Sequence, residues 1–158
     1  MKLKNFVDLS PKEQQLVFKW RNHEKIAVFM KNKNLSWEAY QDFLKSLKTD
    51  TSKLYFLVFK EEKPIGVIDF VGINQHSSEF GLYQSPYLKG FGDILMQTLL
   101  SYAKENLKLN TLLGCAYVTN KKALDLYQKF GFIFKEKGEM CYFSKDIRGK
   151  LKTNSSNC

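Results

Sequence analysis

Only two histidines (His23 and His76) and three cysteines (Cys115, Cys141 and Cys158) occur among the 158 residues. The cysteines are odd in number and lack the paired spacing of a zinc site. The sequence therefore predicts free thiols in a reducing cytoplasm, with no metal centre and no disulfide framework. Three prolines and nine glycines are too few for a collagenous or low-complexity chain, and 44% hydrophobic residues are too many for a disordered one. No apolar run approaches the ~20 residues that cross a bilayer, and Met1-Lys-Leu-Lys-Asn5 leads into polar sequence without a signal-peptide core. A soluble cytoplasmic protein without a membrane partner is expected. What is present suffices for one domain: chains of ~100–200 residues usually form one, and at this length folding buries roughly 70% of the unfolded surface.

The net charge of +9 is spread unevenly. Residues 1–35 carry +5, residues 36–88 carry −2, residues 89–147 carry +3 and residues 148–158 carry +3. A nucleic-acid binder concentrates its bases on one helix or stripe with aromatics interleaved, which this distribution does not do, so no nucleic-acid partner is expected. A small polyanion such as a nucleotide or coenzyme suits the charge as well.

Local patterns define the elements. Ser10-Pro11-Lys12-Glu13 is a capping box with proline at the first helical position, and Leu16, Val17 and Trp20 stripe the helix that ends near Asn22. A short helical stretch over 24–31 follows. Ser36 caps another helix with Trp37, Tyr40, Phe43, Leu44 and Leu47 at helical spacing. Tyr55–Phe59 and Ile65–Val71 form a hairpin around Glu61-Glu-Lys-Pro64, and Glu79–Tyr83 is a third strand. A helix over 92–106, a strand over 112–118, a helix over 121–130 and a hairpin over 132–144 complete a domain spanning 1–147. The polar, basic segment 148–158 reads as a disordered tail. Helices, then an antiparallel meander, then strand–helix–strand–helix–strand make an α/β chain with a mixed sheet, not a dinucleotide-binding alternation.

Two stretches carry chemistry. Pro86-Tyr-Leu-Lys-Gly-Phe-Gly-Asp-Ile-Leu95 joins a strand to a helix through Gly90 and Gly92. Glycines let backbone N–H groups converge on an anion, and the helix start adds about half a positive charge, so the turn suits a pyrophosphate, with Lys89 as counter-charge. The same glycines also make a plain tight turn. The Gly-Lys-Ser/Thr ending of a nucleotide-hydrolysing loop is missing. Further on, Asn120, Ala123, Tyr127, Gly131 and Phe132 match the pattern Asn-x-x-Ala-x-x-x-Tyr-x-x-x-Gly-Phe without a gap. Together, in this order, the two stretches resemble the GCN5-related N-acetyltransferase superfamily over about residues 2–146. In that family Gln/Arg-x-x-Gly-x-Gly/Ala wraps the coenzyme A pyrophosphate. Lys89-Gly90-Phe91-Gly92-Asp93-Ile94 matches with Lys89 in first place and Ile94 where a small residue is usual.

The resemblance implies one domain with a mixed sheet of about seven strands flanked by helices, acetyl-CoA as co-substrate and no metal. Acetyl transfer from a thioester to an amine needs a neutral amine, a stabilised oxyanion and a proton for the departing thiolate. By resemblance, a backbone amide near Leu82–Tyr83 polarises the thioester carbonyl, and Asn120 and Ala123 contact the coenzyme. Tyr127 would be the general acid; the alternative is a core tyrosine on an amphipathic helix. The base is open between Glu79, with Ser77 and Ser78 holding a water or the substrate and His76 nearby, and no base at all, residues 76–79 then being a polar turn.

The superfamily diversifies for its acceptor in the N-terminal third. Phe18-Lys-Trp-Arg-Asn-His23 and Phe29-Met30, with Glu79–Tyr83 and Tyr127, resemble the sugar-nucleotide branch serving pseudaminic acid biosynthesis and flagellin glycosylation. That branch acetylates the 4-amino group of UDP-4-amino-4,6-dideoxy-N-acetyl-β-L-altrosamine. The resemblance implies a UDP-amino-sugar substrate held by Arg21, His23, Phe29, Met30 and Tyr40. Arg21 can grip a diphosphate bidentately, while the aromatics stack on uracil or line the sugar methyl. A second copy of the chain, forming a homodimer, stays open. Two other readings remain: an acetyltransferase of protein N-termini, ribosomal proteins included, and a non-catalytic acyl-CoA-binding domain.

Overall fold

A computed structural model describes residues 1–149. The chain runs β1 (Lys2–Asn5), a 3-10 turn (Phe6–Asp8), α1 (Pro11–Asn22), α2 (Glu24–Ala27), α3 (Trp37–Ser46), β2 (Lys53–Lys60), β3 (Lys63–Val71) and β4 (Ser77–Gln84). It continues through α4 (Gly92–Glu105), β5 (Thr111–Tyr117), α5 (Lys121–Lys129), β6 (Ile133–Lys137) and β7 (Met140–Asp146). One seven-stranded sheet in the order β1-β2-β3-β4-β5-β7-β6 carries these elements. Every pairing is antiparallel except β4 with β5. The α/β class and mixed seven-stranded sheet are as expected.

The capping chemistry is local and forms as the sequence predicts. Glu13 N–H donates to Ser10 Oγ at 3.2 Å, and Ser10 N–H donates back to Glu13 Oε1 at 2.9 Å. Ala39 N–H donates to Ser36 Oγ at 3.0 Å. Alternation along the strands then loads both faces of the sheet. Leu57 and Val67 meet Trp20, Val17, Tyr40 and Leu44 under α1 and α3. Phe56, Ile68, Phe70 and Phe80 meet Leu95, Leu99 and Tyr127 under α4 and α5.

Among the boundaries that differ from the sequence reading, three have a clear physical reason. β1 is an edge strand whose four residues pair with Phe56–Phe59 of β2; Lys-Leu-Lys-Asn holds too little apolar patterning to announce itself. α2 stops at Ala27, not 31. Residues beyond it are held by distant partners, with Asn22 bonding both the carbonyl and the N–H of Leu35 at 2.7 and 3.2 Å. β4 starts at Ser77, because Ser77 and Ser78 pair with Thr111 and Leu112 of β5. Arg148, the first residue of the expected tail, forms a two-point ion pair with Asp146 (3.1 and 2.7 Å); from 150 onward the tail lies outside the described residues.

Candidate active site

The sheet opens in its middle. β4 pairs with β3 through Gln84 but with β5 only over Ser77–Glu79, and from Gly114 to Tyr117 β5 pairs only with β7. Residues 80–84 and 114–117 thus leave two backbone edges unpaired with each other where the strands part, groups that must find partners elsewhere. Under the split lies Tyr127, 5% exposed, its ring 5.4 Å from Phe80, 5.8 Å from Phe132 and 4.6 Å from Phe143. Gly114 makes room for this stack: a Cβ there would fall 2.3 Å from the Phe143 ring.

At the open end, the loop after β4 turns into α4. Gly90 has φ +84°, a left-handed conformation that favours glycine, and open space surrounds the place where a Cβ would stand. Gln84 Oε1 accepts the Phe91 N–H at 3.0 Å and pins the turn to β4. Neither α4 nor α5 has a side-chain cap, although Asn120 stands at the cap position of α5. Uncapped N–H groups of α4 beside Gly90 and exposed Lys89 suit the pyrophosphate arm of a coenzyme, with Gly92, Asp93 and Ile94 forming the first turn. The Asp93 carboxylate, unfavourable beside an anion, is ion-paired with Lys129 of α5. Ala123 and Asn120 are half-buried at the start of α5, and Leu82 and Tyr83 lie half-buried on the open part of β4. The residues present fit the coenzyme.

The groups expected to move protons separate in space. Burial, and more weakly the negative charge of Asp69, raise Tyr127 well above the ordinary tyrosine pKa. Its hydroxyl is therefore protonated at neutral pH and available as an acid. Ser78 is buried and its hydroxyl is directed to backbone carbonyls, Val71 O at 3.1 Å and Glu79 O at 2.7 Å. Ser77 Oγ accepts from Asn74 Nδ2 at 3.2 Å in the turn before β4. Ser78 is thus committed to the closed end of the split rather than to a water or the substrate, and half-buried Ser77 stands beside it. His76 is exposed there too, its carbonyl accepting from Asn110 and Thr111 N–H at 2.8 and 3.1 Å. Glu79 is exposed at the last pair before the strands part. One acid on the same face escaped the sequence reading. Asp69, in the middle of β3, lies against Gly81, where an added Cβ would approach its Oδ2 to 2.8 Å. Burial, with Glu79 adding repulsion, pushes its carboxyl up to about 7. The available signal was an acid inside the otherwise apolar run Ile65–Val71.

On the α1/α3 side, Arg21 Nη2 donates to Asn32 O at 2.7 Å, while its buried Nη1 has no partner among the described residues. The positive charge of Arg21 acts on Tyr40, Tyr55 and Tyr83, placing it beside the cluster of phenols that faces β4. His23 caps α2 by accepting the Lys25 N–H at 3.1 Å, and its ring lies edge-on to exposed Tyr87 at 5.3 Å. Phe29 is exposed and Met30 half-buried on the segment after α2, which crosses to β5 where Lys33 Nζ sits 5.7 Å from the Tyr117 ring. Tyr40 departs from expectation. Its ring is enclosed by Phe18 and Phe43 at 5.5 and 5.6 Å, so it cannot stack on a base and serves the core beneath Arg21. A separate depression lined by Asn5, Asp50, Lys53 and Ile73 lies at the opposite end of the sheet.

A parallel pair splayed over a buried tyrosine, with an uncapped helix at its mouth, is the architecture of an acyltransferase, and the chain belongs to the acetyltransferase (GNAT) family, whose model matches residues 15–132. It is similar to two Campylobacter jejuni proteins named acetyltransferase PseH. One is 54% identical over 132 residues, 84% of each chain; the other is 47% identical over 143 residues, 90% of this chain and 91% of the relative. The crystal structure of C. jejuni N-acetyltransferase PseH in complex with acetyl coenzyme A superposes with a TM-score of 0.80 at 46% identity, covering 92% of this chain and 97% of that one. Spermidine N-acetyltransferase of Vibrio cholerae shares the fold, with a TM-score of 0.80 at 21% identity over 92% of this chain and 94% of its own.

Proposed function

We propose that this acetyltransferase moves the acetyl group of acetyl-CoA to the 4-amino group of a UDP-linked 4-amino-4,6-dideoxy sugar, by direct attack in a ternary complex. The step would serve pseudaminic acid biosynthesis for flagellin glycosylation, in the cytoplasm. Likeness to the PseH proteins over most of both chains supports the reading. The observation that carries it is Arg21: its buried cationic donor Nη1, without a partner among the described residues, suits an acceptor rich in phosphate oxygens far better than a peptide amine.

In this reading the pyrophosphate of the coenzyme rests on the start of α4, and its arm fills the split. A free backbone amide near Leu82–Tyr83 polarises the thioester carbonyl, and the acceptor approaches from the α1/α3 side. Tyr127 meets the sulfur from the opposite face and gives it a proton as the carbon–sulfur bond breaks.

A thiol-release assay with acetyl-CoA, run against UDP-4-amino-4,6-dideoxy sugars and a panel of N-terminal peptides, tests the acceptor. Turnover with the sugar nucleotides alone is expected, whereas turnover with peptides alone would replace the reading by N-terminal protein acetylation. Arg21→Ala should raise the acceptor KM and leave acetyl-CoA affinity intact. Losing two charge-assisted hydrogen bonds predicts a kcat/KM lower by about 30- to 1000-fold, or ~2–4 kcal/mol. Equal loss for both substrates would make Arg21 a structural residue.

A further inference from the structure

β3 is hydrogen-bonded on both sides, and its centre is a costly place for a carboxylate. Asp69 is registered between Tyr55 of β2 and Gly81 of β4, yet no hydrogen bond or ion pair reaches its side chain among the described residues. It is half-buried, so the group keeps a path to solvent without a protein partner. An acid held this way weakens the fold, and such groups concentrate where chemistry needs them. The missing Cβ of Gly81 opens the space that the carboxylate occupies. Along the same strand pair, Ile68 faces Leu82 and Val67 faces Tyr83, so Asp69 stands one to two pairs, roughly 3–7 Å along the strands, from the amides assigned to the thioester carbonyl.

The charged and titratable groups around it come from every neighbouring element. They are Tyr55 on β2, Glu79 and Tyr83 on β4, and Tyr127 on α5, with Arg21 of α1 and Tyr40 of α3 acting on that phenol cluster. Glu79 is exposed at the rim, and Ser77, Ser78 and His76 belong to the closed end.

We propose that Asp69 is the base that takes a proton from the acceptor ammonium at the acceptor side of the split. The proposal rests on the acetyl-transfer reading above. Asp69 removes one ammonium proton, and the freed lone pair forms the carbon–nitrogen bond as the carbon–sulfur bond breaks. The sulfur leaves with the proton of Tyr127, and the second surplus proton of the nitrogen restores that hydroxyl. Asp69 then returns its own proton to solvent, so each turnover releases one proton. A carboxyl that burial holds near 7 is close to half ionised at neutral pH, the poise a base needs.

The test is the pH profile of kcat/KM from 5.5 to 9.5, with acetyl-CoA affinity measured by calorimetry and folding by thermal melting. The wild-type rate should climb as Asp69 ionises and flatten above about pH 7. Asp69→Asn should lose ~10²–10⁴-fold at pH 7. Its deficit should narrow toward pH 9.5, because amine already neutral in solution bypasses the base. Glu79→Gln, which relieves repulsion, should move the ascending limb to lower pH and supplies the answer even if Asp69→Asn fails to fold. An Asp69→Asn enzyme with the wild-type profile, a pH-independent deficit, or a Glu79→Gln enzyme without the limb would overturn the proposal. Failure of the acceptor reading looks different: sugar nucleotides are then inert, and the same profiles are taken on whichever amine in the panel is acetylated.

Discussion

Replacing Tyr127 with phenylalanine removes one oxygen and leaves the ring inside its cage of Phe80, Phe132 and Phe143. The substitution therefore separates chemistry from packing. With the phenol pKa raised by burial, the hydroxyl stays protonated across the working range and keeps a proton to offer the leaving thiolate. Tyr127→Phe should fold and bind acetyl-CoA as the wild type does, while kcat falls by ~10²–10⁴. Stopped assays from pH 6 to 9 check it; near-normal rates would reduce Tyr127 to a packing residue. Residue identity marked Tyr127, Glu79 and Arg21 in the sequence because their types are chemically suggestive within motifs. Identity does not reveal partners. Ser78 looks like a site residue until its hydroxyl is found on Val71 O, and Tyr40 like a stacking surface until Phe18 and Phe43 close over it.

At the level of elements, the mouth of the site is set by two helix starts and one strand edge. α4 and α5 both begin without side-chain caps, an arrangement that leaves backbone donors for a ligand. Gly92 sits at the first position of α4, and a Cβ there would meet only Leu126, at 3.5 and 3.7 Å. The helix therefore tolerates a side chain there, whereas a pyrophosphate bound as proposed would not. Gly92→Val should melt within a few degrees of the wild type and lose at least about tenfold in acetyl-CoA affinity, a change of ~1.4 kcal/mol by calorimetry. Unchanged affinity in the folded variant would remove the coenzyme from this turn. Caps, the hairpins and the glycine turn were legible because their signals are local. β1 was not, since its order comes from hydrogen bonds to a strand some fifty residues away in sequence.

Across the whole molecule, one sheet separates two cores. Leu57 is fully buried under α1 and α3, and Leu95 is fully buried under α4 on the other face. Because both cores share the backbone ladders of β2, β3 and β4, they should melt together. Leu57→Ala and Leu95→Ala should each cost about 2–5 kcal/mol and lower a single calorimetric transition, with near-additive loss in the double variant. Two resolved transitions would show the faces to be independent units.

The sequence by itself determined the order and type of most elements, the glycine turn before α4 and the tyrosine helix. Each depends on chemistry within a few residues: a cap three positions away, a glycine where φ is positive, apolar residues at a fixed period. Tertiary structure alone decided where β4 leaves β5, which edges stay unpaired, and that, among the described residues, Arg21 keeps a donor without a partner and Asp69 faces Gly81 with none. Those properties arise from strands and helices far apart in the chain. Burial and hydrogen-bond satisfaction depend on everything packed around a group, so no local pattern encodes them.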